Sequence, residues 1–277
     1  MGRRRTESLA RAAVYLSWAI LIWPTSTLAA GPVPGRGTWE TTLQARDLDR
    51  DGVTDAFYDT DLNITWLRDT NYGAGSPFDA GFTTPALGPK PANYATDGKM
   101  TFNNAKAWAS SLTFGGYSDW RLPALTEVSS TCCIITFNGS DIGYNVPTAT
   151  SELAHLFHVT LGNVSRFDTN GNERPQAPAL PGDFWLVNTG NFLNLQPSSY
   201  YAQSRNPSAF SGGIWTFYFG FGAQLSDPGT YDVVSAIAVR AGDVAAVPEL
   251  EVWAMMATGL AMLGIASKRR GPRNQRG

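Results

Sequence analysis

Residues 47–55 read Asp47-Leu48-Asp49-Arg50-Asp51-Gly52-Val53-Thr54-Asp55, and this is the sharpest chemical pattern in the chain. Asp47, Asp49 and Asp51 fall at positions one, three and five of a calcium loop. Gly52 supplies the turn, Val53 offers a carbonyl and Asp55 stands at position nine. Oxygens at alternate positions can wrap one Ca²⁺ because the turn points them inward. Position twelve is Tyr58, where a bidentate carboxylate belongs, and Asp59 comes one residue late. The competing expectation is a solvated acidic turn that opens the next strand.

Three further groups have the residue types for chemistry. Glu152, His155 and His158 recur at i, i+3 steps and include the only two histidines of the chain. Two imidazoles and a carboxylate can hold zinc, but this spacing drifts around a helix, which predicts exposed helix side chains instead. Cys132-Cys133 can form a vicinal disulfide or remain two thiols, and Ser129-Ser130-Thr131 and Ile134-Ile135 supply no base to activate a thiolate. Tyr200, Tyr201 and Tyr218, with Trp215, are candidates for stacking on sugar rings; for Trp215 sheet packing is the stronger expectation. No nucleophile elbow, phosphate loop or dinucleotide fingerprint is present, so no catalytic residue is assigned.

Composition narrows the partners. Of 21 basic and 23 acidic residues, nine bases cluster at the two ends, and residues 31–246 keep 12 bases against 20 acids, roughly −8. That balance disfavours a nucleic-acid surface, which needs a basic patch. Residues 1–30 run from Arg3-Arg4-Arg5 through an apolar stretch to Pro24 and Leu28-Ala29-Ala30, the layout of a signal peptide cut by signal peptidase. At the other end Val247-Pro248-Glu249 precedes Trp253, an uncharged run to Ser267, and Lys268-Arg269-Arg270. The sixteen residues from Val252 to Ser267 span about 24 Å as a helix, short of the roughly 30 Å bilayer core, and suggest a transient inner-membrane stop. This end resembles the PEP-CTERM sorting signal, which implies an exosortase as processing partner; Val247, Pro248, Glu249, Trp253, Arg269 and Arg270 carry the likeness, and Leu250 departs from it. Residues 271–277 form a basic tail.

The elements that must position the candidates follow from periodicity. Residues 31–46 read as a flexible leader, with a weak first strand over Thr38–Ala45. Residues 73–97 are irregular and proline-rich. Phe102, Ala105, Trp108 and Leu112 predict a helix ended by Gly115-Gly116, and Leu153, Leu156, Phe157 and Leu161 predict a second, capped by Thr150 or Ser151 and stopped at Gly162. Strands are expected at 183–187, 214–221 and 233–240. The predicted class is therefore α+β, with two helices and an antiparallel sheet. Between the helices, Gly116, Trp120, Arg121, Leu122 and Pro123 read as a structural corner, with Arg121 pairing to Asp119 or Glu127.

Residues 47–243 carry a second resemblance. Ile64-Thr65-Trp66-Leu67-Arg68-Asp69, the Ala105–Trp108 helix, Gly115 to Pro123 with Glu127, and Ala236-Ile237-Ala238-Val239-Arg240 are similar to the Lcl C-terminal-like domain family. The resemblance implies a C-type-lectin-like mixed domain, related to formylglycine-generating enzymes. An aromatic-serine element usual before the last strands is replaced by Tyr200-Tyr201-Ala202-Gln203-Ser204, and the motifs of calcium-dependent sugar binding are missing. With the sorting signal, the resemblance implies a non-enzymatic surface or matrix protein that adheres to or associates with polysaccharide. An exported enzyme acting on surface glycans, an oxidase-like relative and a structural coat component are the alternatives.

Overall fold

The computed structural model describes residues 31–79, 97–128, 135–175, 185–205, 213–227 and 234–244. It is an α+β body with two four-stranded antiparallel sheets where the sequence suggested one. In the first, β1 (Leu43–Arg46), β2 (Ala56–Asp59) and β3 (Ile64–Leu67) form a meander, and β8 (Val239–Ala241) adds to the far side of β3. In the second, β5 (Ser199–Arg205), β6 (Ile214–Tyr218) and β7 (Ala223–Asp227) form another meander, with the two-residue β4 (Gly143–Tyr144) on β7. Period-two alternation puts Phe57, Ile64 and Trp66 on one face of the first sheet, against Phe157, Phe217 and Phe219 in a single apolar cluster.

The helix α2 (Phe102–Ser111) forms as its spacing requires. Thr101 caps it by accepting the Asn104 N–H, and Phe102, Ala105, Trp108 and Ala109 make the buried face. That face packs on Leu67, Tyr201, Ile214 and Ala236 in a second cluster. Gly115 and Gly116 then take φ of 59° and 81°; a side chain at Gly115 would strike Leu48. The second helix also lies where expected but changes winding. Ser151 caps α3 (Glu152–His155) at Ala154 N–H, and a π-helical turn follows over Leu156–Thr160, closed by Leu161 N–H to the Leu156 carbonyl.

Three expectations, one leader and two strands, need correction. Residues 31–46 are not a flexible leader: a short helix α1 (Trp39–Thr42) precedes β1, and Thr38 N–H donates to the Thr160 carbonyl at 3.0 Å. Gly37 and Gly162 make this crossing, since a Cβ on Gly37 would sit 2.3 Å from that carbonyl oxygen. Trp185–Val187, the described part of the expected 183–187 strand, is no strand because a side chain replaces the ladder: Asn163 Oδ1 accepts the N–H groups of Val187 and the following Asn188, at 3.0 and 2.9 Å. Of 234–240, Val234 and Ser235 bridge to Met100 and Tyr200, and pairing as a strand begins only at Val239.

Asn188 is the node of this region. Its Oδ1 accepts Val33 and Gly190 N–H, and its Nδ2 donates to the Arg36 and Leu161 carbonyls at 3.1 and 2.7 Å. All four bonds of one buried amide are made, so its loss strands partners on three segments. Asn188→Ala is expected to lower unfolding free energy by about 3 kcal/mol or more, read by urea denaturation, with Asn188→Asp no better because two carbonyls would face its oxygens.

Candidate functional site

The acidic motif forms the hairpin loop between β1 and β2, closed by Asp55 N–H to the Arg46 carbonyl at 2.8 Å. The carboxylates first serve their own turn. Asp47 accepts Arg50 and Gly52 N–H at 2.7 and 2.8 Å, and Asp55 Oδ2 accepts Leu48 and Asp49 N–H at 2.7 and 3.3 Å. Arg50 and Gly52 adopt φ of 67° and 87° to allow this. Ligand oxygens of Asp47, Asp49 and Asp55 nonetheless converge within 4.8 Å of one another. The Asp49 carboxyl is raised by partial loss of hydration and by its acidic neighbours.

The cluster differs from the expected ligand set. Asp51 stays outside it, its Oδ1 taking Val53 N–H, and Val53 is 52% exposed. Tyr58, at position twelve, hydrogen-bonds Asn63. Three carboxylates without a bidentate partner fit a weak hard-cation site, of the kind with dissociation constants of roughly 10⁻⁴–10⁻³ M.

The corner residues are all structural. Trp120 and Leu122 are buried, Arg121 exchanges both backbone bonds with Val239, and the Pro123 carbonyl accepts Gln203 N–H at 2.8 Å. The expected partners of Arg121 are wrong. Its guanidinium forks onto Glu152, with two 2.8 Å bonds, while Glu152 also accepts Ala124 N–H. Asp119 belongs to Arg240, which lowers its pKa, and Glu127 accepts the Trp215 indole N–H at 2.8 Å. Glu152 is thereby a corner tie, not one of three exposed residues on a helix.

His155 and His158 are half-buried and part company. His155 Nδ1 lies 3.2 Å from Thr160 Oγ1, whose hydroxyl reaches the buried Asp59 at 3.4 Å. His158 Nδ1 donates to the Asn163 carbonyl at 3.1 Å, and Nε2 is sealed without a partner among the aromatic rings of Phe157 and Phe217. Burial pushes its pKa down to about 4. The aromatic candidates also need correction: Tyr200 and Tyr201 are 1% and 0% exposed and cannot touch a glycan. Tyr201 packs against Phe102, and Tyr200 Oη accepts Gln196 N–H. Trp215 is core, as expected, and only Tyr218 remains half-exposed. The signal peptide, Cys132, Cys133, Val247, Pro248, Glu249, Trp253, Arg269 and Arg270 lie outside the described residues.

Two features went unread in the sequence. A pocket of about 210 Å³ lies beside β1, lined by Trp39, Glu40, Leu43, Phe57 and Asn191; it is smaller than the roughly 300–1,000 Å³ of typical ligand pockets. The second is an aromatic hairpin over residues 166–174. Phe167 pairs with Glu173 across a turn in which Asp168 Oδ1 accepts Asn170 and Asn172 N–H at 2.9 Å. Its signal was present in Asn170-Gly171, a hairpin dipeptide, with Gly171 at φ 82°.

Among the described residues no helix is long and apolar enough to cross a membrane. Compared with family models, curated proteins and solved structures, the chain matches none.

Two outcomes follow from these charges. Millimolar CaCl₂ is expected to raise the melting temperature, and Asp49→Asn to raise the metal-free value while removing the calcium increment; an increment unchanged in the variant would place calcium elsewhere. The unfolded chain holds a proton on His158 below about pH 6.5, whereas the folded chain takes one only near pH 4. Acidification from 6.5 to 4 therefore costs stability, on the order of 3 kcal/mol, and His158→Gln is expected to flatten that part of the profile.

Proposed function

We propose that this chain is an exported cell-surface or extracellular-matrix protein whose acidic body associates with exopolysaccharide. In this reading residues 1–30 direct export and are cut by signal peptidase. The motif Val247-Pro248-Glu249 is read by an exosortase during a passing stay in the inner membrane. The body is then a C-type-lectin-like domain of the Lcl C-terminal-like family, built for binding and display.

One observation supports it above the others: residues just inside both proposed processing points are bonded into the body. The Gly31 carbonyl already accepts Thr189 N–H at 3.0 Å, one residue beyond Ala30. At the far end Gly242 N–H donates to the Asn63 carbonyl at 2.8 Å, Asp243 pairs with Arg46, and Val244 is buried, three residues before Val247. Cuts after Ala30 and near Val247 would remove no residue that carries any of these bonds.

Intact mass spectrometry of the protein from its native host tests this. The expected species begins at Ala30 or Gly31, lacks the basic tail and is found outside the cytoplasm. A 29.9 kDa species with both ends present in the cytosolic fraction would overturn it.

A further inference from the structure

We propose that Asn138–Gly139 is the place where this chain modifies itself, closing to a succinimide and reopening as aspartate or isoaspartate, while the fold holds shut the other pairs capable of the same reaction. The inference does not depend on the export and polysaccharide reading above.

Four pairs in the sequence have the required chemistry: Asn138-Gly139, Asn170-Gly171, Asp51-Gly52 and Asp97-Gly98. In each, a glycine without a Cβ leaves its backbone nitrogen open to the side-chain carbonyl carbon of the residue before it. Asn138, Asn170, Asp51 and Asp97 are all exposed, so exposure does not separate them. The glycine N–H does. Gly52 N–H donates to Asp47 Oδ2 at 2.8 Å, Gly98 N–H to Asp79 Oδ2 at 3.2 Å and Gly171 N–H to the Asp168 carbonyl at 3.1 Å. The nitrogen attacks only after giving up its proton, and an N–H held by an oxygen gives it up at the cost of that bond. Gly139 N–H has no acceptor among the described residues.

The surroundings of Asn138 complete the contrast. Its carboxamide makes no hydrogen bond among the described residues, so it is free to rotate onto the Gly139 nitrogen. A Cβ placed on Gly139 would meet nothing closer than the Asn145 carbonyl oxygen, at 3.6 Å, which leaves room for ring closure. Asn170 sits instead in a tied turn. Asp168 Oδ1 accepts the N–H groups of Asn170 and Asn172, and Asp168 N–H donates to the Asn172 carbonyl at 2.9 Å.

The step balances with water alone. Hydroxide removes the Gly139 amide proton, the nitrogen bonds to Asn138 Cγ, and the Cγ–N bond of the carboxamide breaks, releasing ammonia that takes a proton from water. A second water opens the ring. Attack at Cγ gives aspartate, and attack at the main-chain carbonyl carbon gives isoaspartate, whose backbone runs through Cβ and Cγ. Either product adds a negative charge next to Phe137, whose carbonyl accepts the Asn145 Nδ2 at 2.9 Å.

The test is peptide mapping by mass spectrometry of the protein purified from its host and aged in warm, mildly alkaline buffer, with and without urea. In buffer, Asn138 is expected to convert about tenfold faster than Asn170, the factor that one retained N–H bond is worth. In urea the Gly171 bond is gone and the two are expected to convert alike. Asn138→Gln should abolish the more acidic species that isoelectric focusing resolves in the aged folded protein. Asp168→Ala, which frees the N–H groups of Asn170 and Asn172, should speed Asn170 conversion without altering that of Asn138. An Asn138 that stays intact in buffer, or equal conversion of both asparagines there, would overturn the inference. A tenfold gap that persists in urea would overturn it too, because sequence and not the fold would then set the order.

Discussion

One saturated carboxamide holds the body together at its most improbable crossing. Asn188 accepts from Val33 and Gly190 and donates to Arg36 and Leu161, so the segment after Gly31, the end of the π-turn and the 185–190 run converge on a single side chain. Asn163 reciprocates, receiving Val187 and Asn188 N–H and donating to the Asn188 carbonyl at 2.8 Å. These three segments have no common sheet, and without the two amides their buried backbone groups would go unpaired. Gly37 and Gly162 are the steric counterpart, because the backbones could not approach if either bore a Cβ.

Beyond that node, one crossing segment joins the two sheets, and ion pairs fix the loops around the first. Residues 234–241 leave a bridge to Tyr200 beside the second sheet and enter the ladder of the first, with Arg121 bonded to Val239 on the other side. The pairs Arg46–Asp243 and Arg240–Asp119 join residues far apart in sequence. Each is partly exposed, so its net energy is small. Their value lies in geometry, since a fork on a carboxylate fixes the angle at which loops leave the sheet.

Local signals were legible in the sequence to the extent that their physics is local. The helix at 102–111 with its glycine exit, and the Ser151 cap of the second helix, need only nearest neighbours, and both stand as read. Asp47–Asp55 is a turn because its carboxylates cap its own amides. What pairing supplies from a distance was not legible. Two acids near Arg121 in sequence lost it to Glu152, thirty-one residues on, because the corner folds back on the start of α3. Tyr200 and Tyr201 looked like a display pair, yet a strand of the second sheet covered on one face by α2 and on the other by Phe219 buries both. Trp185–Asn188 has strand composition and no strand, since a side-chain amide occupies the donors a neighbouring strand would have used.

The same physics explains why the residues that look reactive in the sequence are mostly closed to a ligand. Motif reading favours residues whose types suggest chemistry, and here nearly all of those are spent on structure: Glu152 on the corner, Asp59 on the Thr160 hydroxyl, Glu127 on the Trp215 indole. A polar group consumed by the fold is satisfied and has little left to offer a ligand.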